Sequence, residues 1–118
     1  LEVLVADIYE IRDYTIEPEW FPAYQEWAKL VVPWLKENMD VIDFWVDEGL
    51  DCDAGGSDPR QPPHGQPNVC WIIRWSSREE RDEKWAEVQA NPEFQQIWSK
   101  HPNENAYLIW NARFMRSL

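Results

Sequence analysis

The chain reads as strand, helix, strand twice over, and that order leaves few ways to fold. Residues 3–16 alternate and are rich in Val, Ile and Tyr, with Val5, Asp7, Tyr9 and Ile11 on one side and Ala6, Ile8, Glu10 and Arg12 on the other. Glu17-Pro18-Glu19 breaks the pattern, and Pro22 suits the first turn of a helix. Tyr24, Trp27, Ala28, Val31, Trp34 and Leu35 then recur at three- and four-residue spacing, a helical stripe that ends near Asn38. Pro33 lies inside it and is expected to kink it, because the ring removes the bond to the Lys29 carbonyl. Strand chemistry returns over 41–47.

The second half repeats the order. Val69 to Trp75 is a nearly continuous apolar run, read as a strand buried on both faces. Ser77-Arg78-Glu79-Glu80 has the form of a capping box, and the helix it opens presents Arg81, Trp85 and Val88 to one side. Asn91 as cap and Pro92 behind it restart a short helix with Phe94, Ile97 and Trp98, which His101-Pro102-Asn103 ends. A last strand spans Ala106 to Met115, with Leu108, Trp110, Ala112 and Phe114 opposite Tyr107, Ile109, Asn111 and Arg113.

The plan βαββαβ is ferredoxin-like, an α+β fold whose antiparallel sheet carries its helices on one face. At 118 residues it is expected to fill one domain, residues 1–118. Strands apolar on both sides need a second cover. A second copy of the chain supplies it, so a homodimer through the helix-free sheet face is expected. The stretch 49–68 holds most of the prolines and glycines and reads as one long loop, either a cover over a pocket or a floppy insertion.

Twenty-two acidic residues against 11 basic ones give a net charge of −11. That surface repels phosphate backbones and anionic lipid, so neither nucleic acid nor a membrane is an expected partner. No run approaches the ~18 apolar residues of a membrane span. The opening Leu1 to Asp7 lacks a signal peptide's basic start and cleavage site, and a cytoplasmic location is expected. Cys52, Cys70, His64 and His101 fit no metal-ligand spacing, so no metal is expected.

The segment Tyr9-Glu10-Ile11-Arg12-Asp13-Tyr14-Thr15 resembles the Y-E-[LI]-R-x-Y-T start of NIPSNAP-type domains. Trp71-Ile72-Ile73-Arg74-Trp75, then Ser77-Arg78-Glu79-Glu80-Arg81 and Asn91-Pro92-Glu93-Phe94, extend the resemblance over roughly residues 7 to 115. The Pro/Gly-rich loop and the nine tryptophans depart from the family pattern. The resemblance implies the dimeric α/β-barrel superfamily, and with it a cofactor-free enzyme on a small aromatic or polyketide-like molecule: a cyclase, isomerase or monooxygenase. The competing reading is a non-catalytic ligand-binding or protein-interaction dimer.

Candidate site residues follow from strand alternation, on the expectation that they share the helix-free face. Glu10 and Arg12 of the first strand would be joined by Arg74 of the third and by Asn111 and Arg113 of the fourth. Asp43, Trp45 and Asp47 would come from the second. Such a set could hold an anionic or enolate oxygen, with Glu10 or Asp43 moving a proton. Alternatively Glu10 pairs with Arg12 or Arg74 as a buried structural ion pair. His64 in the loop could act as a general base or an axial haem ligand, or lie on the surface. His101, before Pro102 at a helix end, is expected to cap carbonyls or meet the helix dipole. Trp27, Trp34, Trp85 and Trp98 fall on helix stripes as core, whereas Trp45 is the candidate to line a pocket for a flat apolar ligand. No phosphate loop or nucleotide fingerprint is present, and no cofactor is expected.

Overall fold

A computed structural model describes residues 7–118. The first residues of the expected opening strand, 3–6, lie outside the described residues. Strand β1 spans Ile8–Ile16, helix α1 Phe21–Asn38, β2 Val41–Val46, β3 Val69–Trp75, α2 Arg78–Ala90, α3 Pro92–Trp98 and β4 Tyr107–Met115. The sheet is antiparallel throughout in the order β2-β3-β1-β4, the ferredoxin-like arrangement.

Local chemistry sets the boundaries. The Ser77 hydroxyl accepts from the Glu80 amide at 3.0 Å, while the Glu80 carboxylate reaches the Ser76 amide at 2.7 Å, one residue before the cap. Asn91 Oδ1 accepts from the Glu93 and Phe94 amides, and Pro92 opens α3. Helix α1 continues through Pro33 to Asn38.

Three helices and one sheet face enclose the core. Val69, Trp71, Ile73 and Trp75 alternate inward from β3 and meet Tyr24, Trp27, Val31, Trp34 and Leu35 of α1 and Val88 of α2. The two-sided burial expected for β3 is therefore not met within one chain. Its other side, Cys70, Ile72 and Arg74, is half-buried to exposed, because all three helices pack on the opposite face. The last strand also departs from strict alternation. A register shift between Thr15 and Ile16 puts Tyr107 opposite Ile16, and its ring turns toward Tyr14 and Tyr24 under the helices.

Candidate functional site

Glu10, Arg12 and Tyr14 are two apart on β1 and so share a face. That face lies under the helices, since the Glu10 carboxylate meets Arg81 and Trp85 of α2. The sequence-based placement is corrected here: the pair sits opposite the helix-free face, not on it.

The Glu10 carboxylate is fully buried and accepts five hydrogen bonds, from Arg12 Nη1, Arg81 Nε and Nη2, and the indoles of Trp75 and Trp85, at 2.8–3.2 Å. Burial works against its charge, but the bonds from Arg81 and Arg12 outweigh it and hold the carboxyl below the usual range. Glu10 is thus an anion with its oxygens occupied.

Arg12 Nη1 bonds Glu10, and Nε donates to the Tyr14 hydroxyl at 2.7 Å. Burial disfavours its charge as well, yet Tyr14 and Glu10 raise it above the ordinary arginine value. The guanidinium lies 5.0–5.8 Å from the ring centres of Tyr14, Trp71, Trp85 and Trp110, which stabilise the cation.

Arg12 and Tyr14 open onto a cavity of about 770 Å³ between the sheet and the helices, within the usual size for small-molecule sites. Arg12, Tyr14, Phe44, Trp71, Tyr107 and Trp110 form its sheet wall, and α1, α2 and α3 supply Tyr24, Trp27, Trp85, Phe94 and Trp98. Arg12 is the one cation among the lining residues and Glu104, whose Oε1 accepts from the Trp98 indole at 3.1 Å, the one anion. Trp110, 62% exposed, stands at the open edge on β4.

The other arginines lie elsewhere. Arg74 pairs in register with Tyr9 and bonds Asp40 at 2.7 Å; Arg113 pairs with Ile11 and bonds Asp13 at 2.8 Å. Both are on the helix-free face with Asn111, which lies opposite Asp13. A one-residue offset along each strand reverses the face, so Arg12, Arg74 and Arg113 do not converge. Trp45 pairs with Cys70 and is on that far face too; Trp110 and Trp71 line the cavity in its place. Asp43 follows the register shift of edge strand β2, pairs with Ile72, and is bonded to its neighbour's amide and to Lys36. Those two bonds lower its pKa, the backbone bond most.

His64 lies 3.7 Å from Glu17 and is largely exposed. No residue of 47–68 lines the cavity. The loop is tied at its end by Asn68, whose side chain bonds both the amide and the carbonyl of Ile16. Among the described residues no cluster of three or more metal-ligating side chains occurs.

Sequence reasoning missed Tyr14 and gave His101 a different role. The Tyr14 hydroxyl accepts from Arg12 and, at 3.0 Å, from the Trp71 indole. His101 Nδ1 accepts from the Asn103 amide, so Nε2 carries the proton and donates to the Tyr107 hydroxyl at 2.8 Å. Its ring packs 4.4 Å from Trp27 and 4.7 Å from Trp98, and it caps no helix carbonyl among these bonds. The signal for Tyr14 was available: it is the next residue after Glu10 and Arg12 on their own side of the strand.

No protein-family profile matches the chain, and no curated protein matches it. Solved structures do. A NIPSNAP family protein of unknown function from Agrobacterium tumefaciens superposes with a TM-score of 0.69 at 17% identity, over 98% of this chain and 92% of that one. A NIPSNAP-like domain protein from Burkholderia xenovorans gives 0.69 at 14%, over 98% and 88%. A putative antibiotic biosynthesis monooxygenase from Nitrosomonas europaea gives 0.57 at 8%, over 100% and 96%. The chain has the α+β fold of NIPSNAP-type domains, as its motifs led one to expect.

Proposed function

We propose that this protein binds a small, flat, largely apolar molecule in the cavity under the helices, with an anionic or carbonyl oxygen of that molecule seated on Arg12. One observation carries the reading: a single guanidinium, held by Glu10 and Tyr14 and surrounded by indole rings, opens onto an aromatic cavity of about 770 Å³. A low-dielectric wall strengthens such a charge toward a ligand oxygen.

A cofactor-independent conversion of the bound molecule is the finer form of this reading. Its support is the fold shared with proteins described as putative antibiotic biosynthesis monooxygenases. In that form Glu10 positions Arg12 and moves no proton, because its oxygens already accept five bonds. Isothermal titration with 2-naphthoate tests the binding site, with naphthalene as the oxygen-free control. Saturable 1:1 binding of the naphthoate, tighter than naphthalene, is expected; heat of dilution alone for both would refute the reading.

A homodimer is the second part of the proposal. The helix-free face carries Ile109 at 53% exposure, Met115 at 49% and Trp45 at 44%, beside half-buried Ile11 and Ile72. A patch of this kind on a sheet favours a second sheet against it.

A further inference from the structure

The geometry points to Tyr14 as a second ligand-gripping group, whose hydroxyl proton, together with the free Nη2 of Arg12, clamps one carbonyl or enolate oxygen. This rests on the cavity being a binding site and narrows its substrate class to aryl ketones and their enols, whose oxygen carries two lone pairs for two donors.

A tyrosine hydroxyl has two acceptor lone pairs and one proton. At Tyr14 both lone pairs are engaged, by Arg12 Nε at 2.7 Å and by Trp71 Nε1 at 3.0 Å. With its acceptor sites filled, the hydroxyl must place its proton away from both, and Tyr14 lines the cavity. The rotor that leaves most hydroxyls undirected is thereby fixed. Two donors also draw electron density from the oxygen, so the remaining O–H becomes a stronger donor.

Arg12 contributes from beside it. Nε and Nη1 are taken by Tyr14 and Glu10, whereas Nη2 makes no side-chain bond. Among the described residues no buried side-chain nitrogen or oxygen lacks a partner, so Nη2 is not sealed in the core and opens to the cavity that Arg12 lines. Nη2 and the Tyr14 hydroxyl thus flank one corner, bridged by the Arg12 Nε bond. Two preorganised donors at one corner are the arrangement that stabilises an oxygen gaining negative charge. A protonated amine would present only donors to these two donors and be rejected.

The test uses the whole chain with two probes: 1-tetralone labelled with carbon-13 at its carbonyl, an enolisable aryl ketone, and naphthalene, which has no oxygen. Wild type should bind the ketone at least about tenfold tighter than naphthalene, the scale of one to two good hydrogen bonds. Its carbonyl stretch should lie below that of the ketone in an alkane. Tyr14→Phe should lose about tenfold on the ketone and nothing on naphthalene, and the stretch should move back toward the alkane value. A parallel loss on both probes, or an unchanged ketone preference, would make Tyr14 structural and overturn the assignment while leaving the cavity a binding site. An unshifted stretch in wild type overturns it without any variant. Failure of wild type to bind either probe would defeat the cavity reading itself.

Discussion

Arg12 Nη1 lies 2.8 Å from Glu10 Oε2 on the helix-covered face of β1, with Glu10 fully buried and Arg12 15% exposed. Arg81 grips both carboxylate oxygens, with Nη2 on the same Oε2 at 2.9 Å and Nε on Oε1 at 3.0 Å. Removing the carboxylate leaves two guanidiniums facing each other with little water. Glu10→Gln should therefore cost about 3–5 kcal/mol of folding stability, the range for breaking one side of a buried ion pair. Urea unfolding measures it. A loss under about 1 kcal/mol would mean the arginines are solvated enough to need no partner.

The same group gives stability a pH dependence of known sign. Its folded pKa is held below the ordinary 4.5 by Arg81 and Arg12, against the opposing effect of burial. The contribution is complete above about pH 4.5 and is lost as pH falls below it through the folded value. In Glu10→Gln that acid limb should flatten, and an unchanged limb would assign it to other carboxylates.

His101 acts in a neighbouring window. Burial among Trp27, Trp98 and Tyr107 lowers its pKa below the ordinary 6.5, with Glu104 pulling weakly the other way. Its Nδ1 already accepts a backbone N–H, so a proton there would meet a donor. Stability from this site is full above pH 6.5 and declines as pH falls from 6.5 through the folded value, because the unfolded ring takes up its proton first. An NMR titration of the ring should give a midpoint below 6.5. A midpoint at or above it would mean the ring is wetter than its packing indicates.

On the helix-free face, Ile72→Glu should convert a dimer to monomer, since a carboxylate placed in the apolar sheet contact is desolvated opposite the like charge of Asp43, its partner in the ladder. Light scattering at micromolar concentration reads the mass. A wild-type monomer would refute the proposed dimer. If wild type is a dimer and the variant remains one, association uses another surface.

The fold was largely legible because its signals are local. Strand β3 ends where its apolar run ends, Asn91-Pro92 restarts a helix as read, and Ser77 caps α2. The strand faces were also legible, so Glu10 with Arg12 could be paired from their spacing alone. Which face receives the helices was not. Alternation fixes two sides but does not name them, and that ambiguity put Arg74, Arg113, Asn111 and Trp45 into the same set as Arg12. The decisive information lies in α2, where Arg81 and Trp85 reach Glu10 across 71 and 75 positions of sequence. The bulges at Ile42 and Leu108, each of which shifts register by one residue, left no mark in composition.

The proposed site seats a ligand oxygen on Arg12 in the cavity under the helices and not on Arg74 of the opposite face, and one titration series separates the two. Isothermal titration of 2-naphthoate is made into wild type, Arg12→Met and Arg74→Met. Methionine keeps an apolar stem at either position, so packing is retained. Arg12→Met should weaken binding by about 2–5 kcal/mol, the range for truncating a desolvated charged contact, and Arg74→Met should leave it unchanged. Unaltered affinity in Arg12→Met, or a loss confined to Arg74→Met, would contradict the site.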